Sequence, residues 1–365
     1  MQVSVCLIRL ENVTDAGQKT PCILPLQMQQ RIDVHCHAVA PGYRQYAIDH
    51  GHEKPDGMPA LPAWSPEQHI ALMKQLNISK SILSITSPGT HLTPNHGGRA
   101  ACMTRQTNEE LSAICADHPL HFRFFASLPL PSVDESITEI DYAMDKLGAV
   151  GFAVLSNANG VYLGDQVLDP VFAHLNSRRA VLFLHPTTCN LLAPAGPDSQ
   201  QEVQAVKPLD AYPRPMMEFM FDETRAVANL LLSGTVARYP HITFVMSHCG
   251  CALPSIVDRI GAFATLTTGG ESQSAEFRRL LRERFYFDLA GFPFPNQIYG
   301  LLRILGDGGE QRLVYGTDYP FTPEKVVVAL AEQIEAGCEE LFNEDQRNVV
   351  YLDNAKRFLG SSIAQ

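Results

Sequence analysis

"RIDVHCHAV" (31–39) reads as a buried strand that carries the wrong side chains for a core. Successive side chains on a strand point to opposite faces, so His35 and His37 share one, and Asp33 is expected to share it with them. Two imidazoles facing inward are costly unless something binds them. The rest of the chain can be searched for that partner and for the sheet to which this strand belongs.

Seven further apolar, β-rich runs follow: "SKSILSIT" (79–86), "HFRFFASLP" (121–129), "AVGFAVLS" (149–156), "AVLFLHP" (180–186), "HITFVMSHC" (241–249), "RFYFDLAG" (284–291) and "RLVYGTDYP" (312–320). Several are almost continuously apolar, as strands of a parallel sheet covered on both faces must be. Helical segments separate them. "SPEQHIALMKQLN" offers Ser65 as N-cap and Pro66 at the first helical position. "DETRAVANLLLSGTVARYP" is expected to open at Asp222 and close before Pro240, and the last helix to end on Gly360. Eight strands alternating with helices specify an α/β protein with a (β/α)8 TIM barrel at residues 31–360. The rival, a doubly wound open sheet, is weakened because no G-x-G-x-x-G follows an early strand. Residues 1–30 read as a loosely attached, partly disordered extension and 361–365 as a tail. Two connections are unusually long, 40–64 after the first strand and 187–221 after the fifth. Both leave a strand's C-terminal end, the active-site face of a barrel.

Composition narrows the class of function. The 365 residues are 45% hydrophobic, enough for a large core, and the formal net charge is −11. With no Lys/Arg cluster, that balance argues against nucleic acid or an anionic membrane as partner and favours a small-molecule enzyme. The nine cysteines are scattered, odd in number and without a C-x-x-C pair, as expected of reduced thiols in a cytoplasmic protein. The N-terminal stretch lacks the cationic start and apolar core of a secretory signal. No run approaches the roughly 18 apolar residues of a membrane span.

Three more ionisable groups stand at the tips of apolar strands: His185 ("FLHP"), His248 ("MSHC") and Asp318 ("YGTDYP"). A barrel would converge them with His35 and His37 at one mouth, where a metal supplies the missing partner. Imidazoles with one carboxylate suit Zn²⁺, with Mn²⁺ or Fe²⁺ as alternatives.

With those residues in place, the chain resembles the amidohydrolase superfamily: H-x-H on the first strand, His on the fifth and sixth, G-T-D-Y-P on the eighth. "FDETRAVANLLLSG", "MSHCGCALP" and "NAKRFLG" are similar to its decarboxylase branch, which includes the aminocarboxymuconate-semialdehyde and γ-resorcylate decarboxylases. "GMPALPAWSPEQHIALMKQLNISKSILSITSPG" is most similar to the 6-methylsalicylate decarboxylases of fungal polyketide pathways. The resemblance implies a carboxy-lyase that converts an ortho-hydroxybenzoic acid, such as 6-methylsalicylate, to a phenol (here m-cresol) and CO₂. It assigns His35, His37, His185 and Asp318 as metal ligands and His248 as the acid/base residue. Proton delivery by His248 or by Asp318 stays open. Binuclear relatives carry a carboxylated lysine at the end of the fourth strand. Here no Lys lies between Lys146 and Lys207 and no Glu between 149 and 201, which points to one ion.

The remaining pocket is expected to be apolar, with Trp64 and Phe292 against the substrate ring and Phe294, Met216, Met217 and Phe219 as further candidates. Trp64 has a competing role as a hydrophobic staple before the Ser65 cap. Arg259 falls where related decarboxylases carry an arginine that reaches a neighbouring subunit's site, which implies a homodimer or higher oligomer; an ordinary helix-surface arginine is the alternative. His50, His52, His69, His91 and His96 are read as surface or loop residues, with His91 and His96, after the second strand and on the active-site side, as the expected exceptions. The competing functions are a γ-resorcylate- or salicylate-type decarboxylase, a mononuclear lactone or amide hydrolase, and a non-catalytic metal-binding scaffold.

Overall fold

The computed structural model describes residues 28–92, 97–192, 203–269 and 272–363. The proposed 1–30 extension therefore lies almost wholly outside the described residues, as does His96. Met28 is tied to the body of the protein, its carbonyl accepting from Asn77 Nδ2 at 2.7 Å.

Eight parallel strands form a nearly closed barrel: β1 (Arg31–His37), β2 (Ile78–Ser84), β3 (Phe122–Ser127), β4 (Gly151–Leu155), β5 (Val181–His185), β6 (Thr243–Met246), β7 (Phe285–Asp288) and β8 (Leu313–Val314). This is the (β/α)8 architecture that the alternating pattern predicts. Side-chain parity splits each strand between two cores. Ile82, Phe125, Ala153, Val181, Phe183, Val245 and Val314 fill the barrel, closed at one end by Leu352, Ala355 and Leu359 of the terminal helical turns. The opposite parity, including Leu83, Phe124, Phe152, Leu182 and Phe244, packs under the helices.

Between β1 and β8 no regular ladder forms. The seam is closed by four backbone bonds, Val34 N to Tyr315 O, His37 N to Tyr319 O, and Thr317 N and Asp318 N both to His35 O. Gly316 sits in this seam because a Cβ there would lie 2.6 Å from the Cβ of His35.

β1 departs from simple alternation. Its pairing with β2 slips in register between Asp33 and Cys36. Ile32 and Val34 point into the barrel, Cys36 and Ala38 pack under the helices, and the slip still brings His35 and His37 inward. Asp33 therefore does not share the histidine face, contrary to the alternation argument. Its carboxylate lies with Cys36 and with His69 of the helix Pro66–Gln75.

Ser65 caps that helix through Gln68 N at 3.3 Å, with Pro66 in its first turn, as expected. His69 is buried, not exposed, packed against Phe122 and Tyr319. The helix expected to open at Asp222 begins at Glu218. Asp222 lies inside it, where Ser156, Asn157 and Tyr162, 60 to 66 residues earlier in the chain, donate to its carboxylate. Both long connections carry structure of their own. The first holds a helix, Pro41–Asp49, and the second a hairpin of Asn190–Leu192 with Val203–Ala205.

Candidate metal centre and active site

The C-terminal ends of β1 and β5 and the turn after β8 bring His35, His37, His185 and Asp318 together. One donor atom from each lies within 4.8 Å of the other three. Asp318 Oδ1 is 3.2 Å from His37 Nε2 and 3.5 Å from His35 Nε2, yet both nitrogens are buried without a hydrogen bond. Orphaned buried nitrogens are rare in folded proteins, and here they belong to residues that converge on one point.

The other ring nitrogens explain why these are the free ones. Ser84 Oγ gives its proton to Cys36 O at 3.1 Å, so at 3.0 Å it accepts from His37 Nδ1–H. His35 Nδ1–H donates to Asp288 Oδ2 at 2.9 Å, and His185 Nδ1–H to Pro186 O at 2.8 Å. Each imidazole is thereby held in the tautomer whose Nε2 lone pair faces the cluster, the arrangement metal-ligating histidines use.

The electrostatics call for a cation. Burial disfavours a charged His35, but the carboxylates of Asp288 and Asp318 outweigh it and raise its pKa to about 10. Burial lowers the pKa of His37, and burial with the neighbouring imidazoles takes that of His185 well down, so both imidazoles are held neutral. Burial would raise the pKa of Asp318, yet His35 and His37 hold it well below the usual range. A divalent ion competes with a single proton for this field. The donor set, three imidazole nitrogens and one carboxylate, fits such an ion.

His248 follows β6 in a turn where His248, Cys249, Gly250 and Cys251 all have positive φ, between 51° and 76°. Three of these are not glycine, so the turn is strained and must be held. Asp288 Oδ1 accepts His248 N at 3.0 Å, Glu223 accepts Ser247 N at 2.9 Å, and Gln297 Nε2 donates to His248 O at 2.7 Å. The imidazole ends 4.9 Å from that of His35, centroid to centroid, but is not one of the four convergent donors. Burial and the nearby His35 lower its pKa.

Asp288 is a group that the sequence reading misses. It fixes the His35 ring, the His248 backbone and Ala290 N with one buried carboxylate. Its signal, a carboxylate at the tip of the apolar run "RFYFDLAG", is the one that identifies Asp318.

A cavity of about 440 Å³ opens above the cluster, with His185, His248 and Asp318 at its floor and Phe219, Phe292, Phe321 and Met216 among its walls. Phe294 is buried elsewhere, against Gly337, and Met217 is exposed outside the lining. Trp64 does not line the cavity; its indole donates to His69 Nδ1 at 3.1 Å. Arg259 is also remote from it, with its guanidinium 4.8 Å from the Phe263 ring centroid in a surface patch. At the end of β4, where binuclear relatives carry a lysine, the chain has Ser156 and Asn157, both engaged with Asp222.

Asp33, Cys36 and His69 form a second close group of donors. Here each residue is already engaged within the protein. Asp33 accepts from His35 N, Thr317 N and Thr317 Oγ1, Cys36 Sγ donates to Ile82 O, and His69 Nδ1 accepts from Trp64.

Residues 32–361 match the Amidohydro_2 family of amidohydrolases. The chain belongs to this family. Among this amidohydrolase's relatives, decarboxylase yanB of Aspergillus niger is 31% identical over 312 residues, 84% of this chain and 81% of that one. The 6-methylsalicylic acid decarboxylase of Penicillium expansum is 30% identical over 322 residues, 87% and 93% of the two chains. The relatives are thus carboxy-lyases. Solved structures share the fold: 2,6-dihydroxybenzoate decarboxylase complexed with 2,6-dihydroxybenzoate superposes with a TM-score of 0.70 at 21% identity, over 91% of this chain and 99% of that one. A dihydroxybenzoic acid decarboxylase from Polaromonas sp. JS666, with bound manganese and 2-nitroresorcinol, gives 0.72 at 19% identity over 92% and 98%. No helix among the described residues is long and apolar enough to cross a membrane.

Proposed function

We propose that this amidohydrolase is a metal-dependent, non-oxidative decarboxylase of an ortho-hydroxybenzoic acid, with 6-methylsalicylate giving m-cresol and CO₂ as its reaction. The observation that carries this reading is a set of four convergent donors beside a fifth, separate imidazole at the floor of an apolar cavity. His35, His37, His185 and Asp318 would hold one divalent ion, Zn²⁺ on the donor set, with Mn²⁺ the alternative. Bound there, the ion supplies positive charge and a fixed orientation for a carboxylate and its ortho oxygen.

The chain's own residues do the rest. Protonated His248 donates to the ring carbon that bears the carboxylate. The C–C bond to the carboxylate then breaks, CO₂ leaves, and the bond's electron pair restores the aromatic ring. Burial and the nearby His35 lower the His248 pKa, which makes its protonated form a stronger acid. Asp318 stays ionised and serves as a ligand, so His248 takes the acid's role. Phe219, Phe292 and Phe321 flank the ring and exclude water. The exposed apolar face of Leu232, Ile256 and Phe263, around Arg259, is where a homodimer would form, and the free thiols among the described residues suit the cytoplasm.

The test is to incubate the metal-loaded enzyme with 6-methylsalicylate, γ-resorcylate, salicylate and a lactone panel. Stoichiometric m-cresol and CO₂ are expected from the first. Turnover confined to lactones would overturn the proposal.

A further inference from the structure

A second cavity, of about 410 Å³, opens on the same face of the barrel over β2 to β5. Its interior is apolar, with Ile85, Leu128, Leu130, Val154 and Leu155. Its mouth is cationic, with Lys54, Lys207 and Arg214. Asp56 is the one carboxylate among its described lining residues, and it already accepts a hydrogen bond from Thr188 Oγ1. In a chain of net charge −11 this is a local reversal of sign.

The cations are largely uncommitted. Arg214 Nε is buried without a partner, and its nearest carboxylate, the exposed Asp210, is 4.0 Å away. Neither Lys54 nor Lys207 has an ion-pair partner among the described residues.

Two hydrogen-bonded pairs divide this cavity from the metal pocket. One is Asp56 with Thr188; the other is Ser87 Oγ with Thr187 Oγ1, at 2.7 Å. Ser87 faces the metal pocket, Thr187 and Thr188 face the second cavity, and Asp56 borders both. Asp56 is the one residue common to the two described linings.

We propose that the second cavity is a separate binding site for an organic anion with an apolar body, a one- or two-ring aromatic carboxylate. The apolar interior takes the rings, the cationic mouth takes the carboxylate, and the volume falls in the range of small-molecule sites. Such a site holds an anion at the rim of the metal pocket without contact with the His35 cluster. It rests on the cavity's own lining and not on the decarboxylation reaction.

The test is equilibrium binding of 1-naphthoate by calorimetry, which needs no turnover. The unaltered chain binds it, and so does His37→Ala, which disables only the metal pocket. Lys54→Glu with Lys207→Glu weakens binding by about tenfold. Ala205→Trp, at an exposed position in the lining, blocks it by bulk. Inorganic phosphate at equal concentration leaves the naphthoate in place. Absence of binding, loss in His37→Ala, or indifference to either surface variant each overturns the proposal. Equal competition by phosphate overturns the apolar body it specifies.

Discussion

One strand feeds two clusters of potential metal donors, and only one of them has donors to spare. Inside the barrel, His35 and His37 meet His185 and Asp318; on the helix-facing side, Asp33 and Cys36 meet His69. The spacing criterion is the same for both, 4.8 Å. In the outer group each residue is engaged within the protein, the Trp64 bond to His69 Nδ1 leaves that ring's proton and not a lone pair on Nε2, burial pushes Asp33 up to about 7 and His69 down to about 3, and the Cys36 thiol stays protonated. In the inner group the hydrogen bonds use the Nδ1 positions and leave the Nε2 atoms of His35 and His37 unclaimed, with only Thr86 Oγ1, at 3.3 Å, against that of His185. Proximity alone does not make a metal site; unclaimed lone pairs do.

The strongest way to break this comparison is a pair of substitutions. His37→Ala should take metal content from about one ion per chain to near none and lower turnover by about a thousandfold or more. His69→Ala should lower the melting temperature and keep the ion. Elemental analysis of both proteins decides, and metal loss in His69→Ala would merge the two clusters. Next comes His248→Gln, with metal content unchanged and kcat down by about a hundred- to a thousandfold, read by steady-state kinetics. Asp288→Asn should then weaken metal affinity by about ten- to a hundredfold in a chelator competition, because His35 loses its orienting carboxylate.

The smallest effect concerns Glu223, which anchors the His248 turn through Ser247. Burial raises its pKa from 4.5 to about 8, so the folded chain favours the protonated form. Its contribution to stability is complete below pH about 4.5 and fades as pH rises to about 8. Glu223→Gln has no such proton to lose. Between pH 5 and 8 its melting temperature should fall less than that of the unaltered chain, and equal falls would refute the assignment.

Much of this was legible in the sequence because it rests on local pattern. Apolar runs mark the eight strands, and ionisable groups at their tips single out His185 and Asp318. What the sequence hides depends on partners far along the chain. The β1 register slip exists only against β2, so alternation misplaces Asp33. His69 follows a charged helix start, and nothing local announces that Phe122 and Tyr319 will cover it. Asp222 resembles a helix cap until Ser156, Asn157 and Tyr162 arrive to claim it. Asp288 is a different case, since the rule that finds Asp318 also finds it.

The seam between β1 and β8 joins the two ends of the barrel's chain; Asp33 and Thr317, bonded across it, are 284 residues apart. His35 and His37 come from one side of that seam and Asp318 from the other. An ion gripped by all three is a crosslink across nearly the whole length of the domain, and closing so long a loop removes more freedom from the unfolded chain than closing a short one. The cation that the chemistry needs would then also be a rivet, and stripping it would let the protein come apart first along the line where its earliest and latest strands meet.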